Sequence, residues 1–410
     1  MKTQNNFSSK ISNIFRKAQV RDDQGFSHHL LSPLLAVVAV GAIGMYLLHL
    51  GSAAVPPRAA GPATTNEFVS LTRGDIMGRR FLGDGGQTVR TSNGYTVSFF
   101  GDSLVYKADI VPTEFSDANQ QETYMMRNNA LIIDPLKKVK SAVPSSNLLA
   151  KKSFAEVPLK QQLAEGKNYY WPAAAATDMS TLGKGRTIYV FLTQLYTPNT
   201  ATDAFNFQFV RSKMAKYYLT DTGRLKLLGQ YNTPTYLKDT KPIQWGSGLL
   251  IQGDWAYIYG ANKPQGDWVW GFDHYIARVK TSRMAYVKEW RYWDGAGWRA
   301  SQLAAKPIVD NPVGAEGSIT VSRNSTGQYT FVYQKFGFIG KKVYRATAPS
   351  PQGPWTFPEP EIGTPVLYSD TDYTYCAYEI PLANGTYGSI VSHGNSVSVP
   401  FEQQGIHALL

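Results

Sequence analysis

Cysteine is nearly absent: the chain has 410 residues and a single thiol, Cys376, so no intrachain disulfide framework can form and no thiolate zinc site can be assembled. Its six histidines, His28, His29, His49, His274, His393 and His407, show neither HExxH nor any paired spacing, so no metal site is read from the sequence. Neither GxGxxG nor GxxxxGKS/T occurs in the globular part, which removes dinucleotide and phosphate-loop chemistry, and GxSxG is missing too, which removes the serine elbow. Helical periodicity is scarce, confined to one connecting segment over residues 148–165. Lys and Arg outnumber acids, giving a net charge of +11, yet they are scattered, with no arginine-rich or helix-face cluster. That distribution argues against nucleic acid as a partner and fits a surface that meets anionic envelope polymers.

Aromatics and turn formers are plentiful. The sequence has 25 Tyr, 19 Phe and 9 Trp beside 36 Gly and 23 Pro, a composition of many short strands joined by tight turns. The fold class expected is all-β.

Residues 1–29 are polar and basic, and residues 30–50, LLSPLLAVVAVGAIGMYLLHL, form an apolar run long enough to cross a bilayer. With the basic residues first, the positive-inside rule puts 1–29 in the cytoplasm, makes 30–50 a transmembrane signal anchor and sends the rest outside. Ser52-Ala53-Ala54 offers a cleavage site, in which case the protein is secreted. Residues 51–66 read as an extended Pro/Ala linker, and 67–410 as the globular domain.

Within that domain five strand groups recur, at 79–149, 169–236, 243–298, 314–360 and from 373 onward. Several strands per unit at that period predict a five-bladed β-propeller, whose inner strands line a common axis. The stretch 79–106, RRFLGDGGQTVRTSNGYTVSFFGDSLVY, places two aspartates, Asp84 and Asp102, in Gly-Asp turns on neighbouring strands. Converging with them at the axis are expected Trp171 and Asp178 of the second group, Trp245 and Ser247 of the third, Glu316 of the fourth, and His393 or Asn395 of the fifth. Acids beside tryptophan rings suit a carbohydrate, because sugar C–H faces stack on aromatic rings while carboxylates bond hydroxyls. Each has a plainer reading: Asp beside Gly is a common turn residue, His393 suits a hydrogen-bonded strand end, and Trp268, Trp270, Trp290, Trp293 and Trp298 suit core between blades. Hydrolysis by carboxylates is the chemistry left after the absences above.

The order FFGDSLVY, YYWPAA, QWGSG, HYIARV leading to YWDGAGW, QGPW, YTYCAYEI and SIVSHGNS resembles the family called domain of unknown function 4185, over roughly residues 70–405. That resemblance implies a five-bladed propeller akin to arabinanases and β-fructosidases, with some members being endo-D-arabinanases of glycoside hydrolase family 183. It implies Asp84 and Asp102 as the catalytic pair, and the wider propeller-hydrolase group implies a later-blade acid, for which Glu316 is the position of choice. Some propellers of that group hold calcium in the channel. This chain departs from the pattern in having GDS where many relatives have GDT, and SHGNS where relatives carry Tyr-Asn-x-Asn. The expectation is a monomeric, membrane-anchored extracellular glycoside hydrolase acting on a polysaccharide such as envelope arabinan. Its rivals are a non-catalytic lectin or adhesin on the same fold, and a structural surface protein with an apolar axis.

Overall fold

The computed structural model describes residues 62–107, 123–142, 153–180, 183–200, 207–236, 242–262, 271–310, 313–335, 342–358, 364–365, 372–383, 385–395 and 405–408. The expected anchor at 30–50 lies outside these residues, and among the described residues no helix is long and apolar enough to cross a membrane.

The first described element is a helix, α1 (Thr65–Arg73). Thr64 caps it, its Oγ1 accepting from Glu67 N at 3.1 Å, while the Glu67 carboxylate accepts from Ala63 N at 2.6 Å. The spacing Thr-x-x-Glu at 64–67 is a capping-box pattern, so the end of the segment read as extended linker is instead a helix start. In the segment read as helical, the described part contains only one short 3-10 turn, Leu159–Gln161.

Apart from three further 3-10 turns, Thr281–Arg283, Val287–Glu289 and Gln302–Ala304, the remaining described elements are strands, in five antiparallel sheets that match the five sequence groups. The first holds β1 (Arg79–Arg90), β2 (Thr96–Lys107), β3 (Thr123–Met126), β4 (Asn129–Ile133) and β5 (Val139–Ser141). The second holds β6 (Gly166–Asp178), β7 (Thr187–Pro198), β8 (Gln208–Leu219) and β9 (Leu225–Tyr236). The third holds β10 (Gln244–Gln252), β11 (Trp255–Asn262), β12 (Asp273–Lys280), β13 (Arg291–Trp293) and β14 (Trp298–Arg299). The fourth holds β15 (Thr320–Arg323), β16 (Tyr329–Gln334), β17 (Lys342–Ala348) and β18 (Thr364–Pro365). The last holds β19 (Asp372–Pro381), β20 (Tyr387–Asn395) and β21 (Gly405–Ala408).

The sheets are closed into a ring by apolar seams, one between each successive pair. Strand β2 shows how the sequence does this. Val97 and Phe99 point to one face and pack with Tyr170, Ile188 and Val190 of the second sheet, while Phe100 points to the other and packs with Tyr378 and Ile390 of the last. Two buried faces per sheet are what period-two strands with large residues on both sides must form. Trp245 and Trp290 fill the seam with the second sheet, Phe331 and Tyr333 the next, and Val332 with Ala377 the fourth. The first strands β1, β6, β10, β15 and β19 touch in that cyclic order, so the fold is an all-β, propeller-like ring with those strands inside.

Candidate active site

Inner strands β1, β6, β10 and β19 each carry a register shift. Such bulges re-aim side chains and are common beside active sites. On β1 the partners run Gly83 with Ser103, then Gly85 with Phe100, so Asp84 alone stands against Gly101 and Asp102 of β2. Gly85 and Gly86 then take φ of +87° and +107°, conformations that glycine adopts freely and other residues do not. Across the same strand, β2 pairs with β3 up to Ser103 and with β4 from Phe100 down, which leaves Asp102 facing the junction where Arg127 stands.

The aspartates therefore meet at the inner edge with different partners. Asp102 is the ionic one: Arg127 Nη1 donates to its Oδ2 at 3.0 Å and Trp171 Nε1 to its Oδ1 at 2.9 Å. Burial raises its pKa above the ordinary carboxylate value, and the Arg127 charge with these two donors offsets only part of the rise. Among the described residues Asp84 has no cation beside it. Loss of water around it, opposed by the hydrogen bond Tyr375 Oη donates to Oδ1 at 2.7 Å and reinforced by the Asp102 charge, pushes its pKa up to about 7.

Glu316 arrives from the fourth sheet, on the segment that leads into β15. Only 7% of it is exposed, and its oxygens accept from Cys376 N at 3.3 Å and Ala377 N at 3.2 Å. Burial outweighs those two bonds and pushes its pKa up to about 8. Asp84, Asp102, Trp171, Tyr375 and Cys376 keep partial exposure, so the group borders water. An aromatic wall flanks Asp102: Trp171 lies 6.0 Å from Tyr169 and 4.9 Å from Phe207 between ring centres, and Arg127 sits 4.5 Å over the Tyr169 ring.

Residues 77–384 match a family described as a domain of unknown function, DUF5005. The chain belongs to that family. This match does not report the domain of unknown function 4185 or glycoside hydrolase family 183 that the motif order resembles. No curated protein matches the sequence. Among solved structures, the DUF5005 chain is similar to a "putative hydrolase" from Bacteroides ovatus ATCC 8483, at 16% identity over 85% of this chain and 89% of that one, with a TM-score of 0.56. It has fainter likeness to a thermostable family-43 glycoside hydrolase, at 12% identity, 82% and 90% coverage and a TM-score of 0.41. The xylan beta-1,4-xylosidase of Bacillus halodurans C-125 stands at 11% identity, 82% and 54% coverage and a TM-score of 0.41. At such identities the first likeness speaks to fold alone.

Other expected site residues of the DUF5005 domain fall elsewhere. Trp245 is fully buried in the seam between second and third sheets, its Nε1 donating to Gln302 Oε1 at 2.8 Å and its ring 6.3 Å from Trp290. It stands just before the β10 bulge, and one residue of shift sends a side chain to the opposite face. Ser247, at that bulge, is buried. Asp178 closes β6 at the turn into β7, where its carboxylate accepts from Ser180 N at 3.0 Å and shapes the loop. His393 and Asn395 end β20 opposite Thr374 and Asp372, and their side chains lie outside the described residues. Among the described residues no group of three or more His, Cys, Asp or Glu is arranged to hold a metal ion.

Missed by sequence reasoning were Arg127, Tyr375 and the backbone of Cys376 and Ala377. Tyr375 bonds a residue 291 positions away, and no spacing rule reaches that far. The one available signal was the acid pair itself, since an ionised aspartate at an inner edge calls for a cation such as Arg127.

Proposed function

We propose that this chain is a glycoside hydrolase, held outside the cell by an N-terminal anchor, that cuts a polysaccharide at the axis of a five-bladed propeller. The observation that carries the reading is the divided proton affinity of the neighbouring carboxyls Asp84 and Asp102, Asp84 poised at about 7 and Asp102 bound to Arg127, with Glu316, held on the backbone next to Tyr375, pushed up to about 8. Glycosidic cleavage requires a protonated and an ionised carboxyl at the same pH, and environments that drive two acids apart supply them. Asp102 is the base or nucleophile and Asp84 the acid. Glu316 stays protonated through neutral pH, so its buried carboxyl adds no third negative charge to the group. The wall of Tyr169, Trp171 and Phe207 gives sugar C–H faces a surface to stack on.

A family-43 glycoside hydrolase and a xylosidase among the fainter likenesses agree with a polysaccharide as substrate. Arabinan of the cell envelope is the polymer favoured by the motif order, and the charge of +11 favours contact with an anionic envelope. The apolar run at 30–50 supports the anchor.

The test is release of reducing sugar from arabinan, arabinogalactan and xylan by the protein and by Asp102→Asn. Release that drops about 10²–10⁴-fold in the variant is expected for a lost catalytic carboxylate. Binding without release by either protein, unchanged by the substitution, would replace the enzyme with a lectin.

A further inference from the structure

Asp84 and Glu316 come from different sheets, the first and the fourth, yet three consecutive residues of the last sheet hold both. Tyr375 Oη donates to Asp84 Oδ1 at 2.7 Å, and the next two backbone N–H groups, of Cys376 and Ala377, donate to the two oxygens of Glu316. Those N–H groups are available because β19 leaves its ladder with β20 between Tyr375 and Tyr378. Cys376 takes φ of +56° there, a left-handed conformation that a non-glycine residue adopts at a cost. A left-handed residue turns successive N–H groups toward one side and makes a concave donor pair suited to an oxygen ligand. Strain of this kind persists where the surroundings over-determine it, and here both neighbours of the strained peptide end on a carboxyl. The last sheet makes a further bond to the Asp84 bulge, since Ser392 Oγ on β20 accepts from Gly85 N at 2.7 Å.

We propose that the bulge Tyr375-Cys376-Ala377 is a positioning clamp that fixes the Asp84 and Glu316 carboxyls relative to one another. The proposal rests on the reading of these acids as parts of a glycosidase site. The groups that face Asp84 are Tyr375 and Cys376 from β19 and Asp102 from β2, with Arg127 behind Asp102. Those that face Glu316 are Cys376 and Tyr378 from β19, with His274 of β12 against its backbone.

The experiment is Tyr375→Phe in the full chain, with two readouts. Carboxyl titration is followed by infrared difference spectroscopy, the Asp84 band being the one missing in Asp84→Asn, and the pH–rate profile is taken on whichever polysaccharide is cut. Removing the phenol takes a donor from the ionised carboxylate, so Asp84 should hold its proton to a pH higher by about one to two units, with the rate limb following. A folded Tyr375→Phe whose Asp84 titration does not move overturns the clamp, even if the protein cleaves sugar. A titration that moves in a protein that cleaves nothing keeps the clamp and removes the glycosidase reading. Should Tyr375→Phe not fold, the reciprocal measurement decides. Burial and the Asp84 charge hold the Tyr375 phenol well above its usual range, so ultraviolet difference titration of Asp84→Asn should show one tyrosine ionising at lower pH; an unchanged tyrosine titration overturns the proposal.

Discussion

At the residue scale, a proton held inside the fold is also a statement about stability. Asp84 and Glu316 have folded pKa values of about 7 and about 8 against ordinary values of 3.8 and 4.5. The folded state binds these protons more tightly than the unfolded chain does. Their contribution is therefore complete below the unfolded values and is lost as pH rises through the folded ones, at about 1.4 kcal/mol per pH unit for each group. His274 acts in the opposite sense. It is buried and neutral, with its pKa pushed down to about 4 from 6.5, so it costs stability as pH falls below 6.5. The two effects oppose each other between about 4 and 6.5, which leaves pH 6.5–8 as the window in which the acids act unopposed. The melting temperature should fall across that window. In Glu316→Gln the fall should be shallower by about one group's slope, measured by calorimetry in matched buffers. Equal slopes in both proteins would mean that Glu316 is ionised in the fold at neutral pH.

At the scale of the element, bulges decide which residues reach the axis. Gly85 has φ of +87°, and an added Cβ would come within 3.7 Å of the Tyr378 ring, so strain rather than space is the obstacle to a side chain there. Gly85→Ala should cost about 1–2 kcal/mol in urea unfolding. It should also abolish sugar release, because the bulge that aims Asp84 is the one being strained. A variant as stable and as active as the parent would show that the Asp84 bulge tolerates another geometry. The same bulges explain what could be read in advance. The five groups were legible because their period is carried by apolar residues and turns, whereas Asp84 and Asp102, read as Gly-Asp turns at strand ends, lie inside β1 and β2, where a bulge and not a turn sets Asp84 against Asp102. The fate of the tryptophans was not legible. Trp171 and Trp245 each precede a bulge on an inner strand, yet Trp171 turns to Asp102 and Trp245 into a seam. Periodicity gives alternation along a strand, and it cannot say where one inserted residue reverses it.

At the scale of the molecule, the ring must close between the first sheet and the last, and the site spans that closure. Both Tyr375 Oη to Asp84 and Gly85 N to Ser392 Oγ cross it. What holds it shut is partly α1, which lies against β1, β20 and β21, with Pro62 O accepting from Ala383 N at 2.9 Å. Arg90 adds a second tie, its Nη1 donating to Leu382 O at 3.1 Å. The main anchor is Phe68, fully buried among Phe81, Phe100 and Val105 of the first sheet and Ile380 and Ile390 of the last. Phe68→Ala should cost about 3–5 kcal/mol, the range for emptying a large aromatic site in a packed core. Because the vacated volume lies in this one seam, the loss should be local before it is global. Hydrogen exchange should quicken first at Gly85 N–H and along β20, while amides of the third sheet keep their protection. Sugar release should fall at temperatures where the far seams are still intact. If exchange rises evenly around the ring instead, closure is shared among all five seams, and α1 is a passenger on the last sheet.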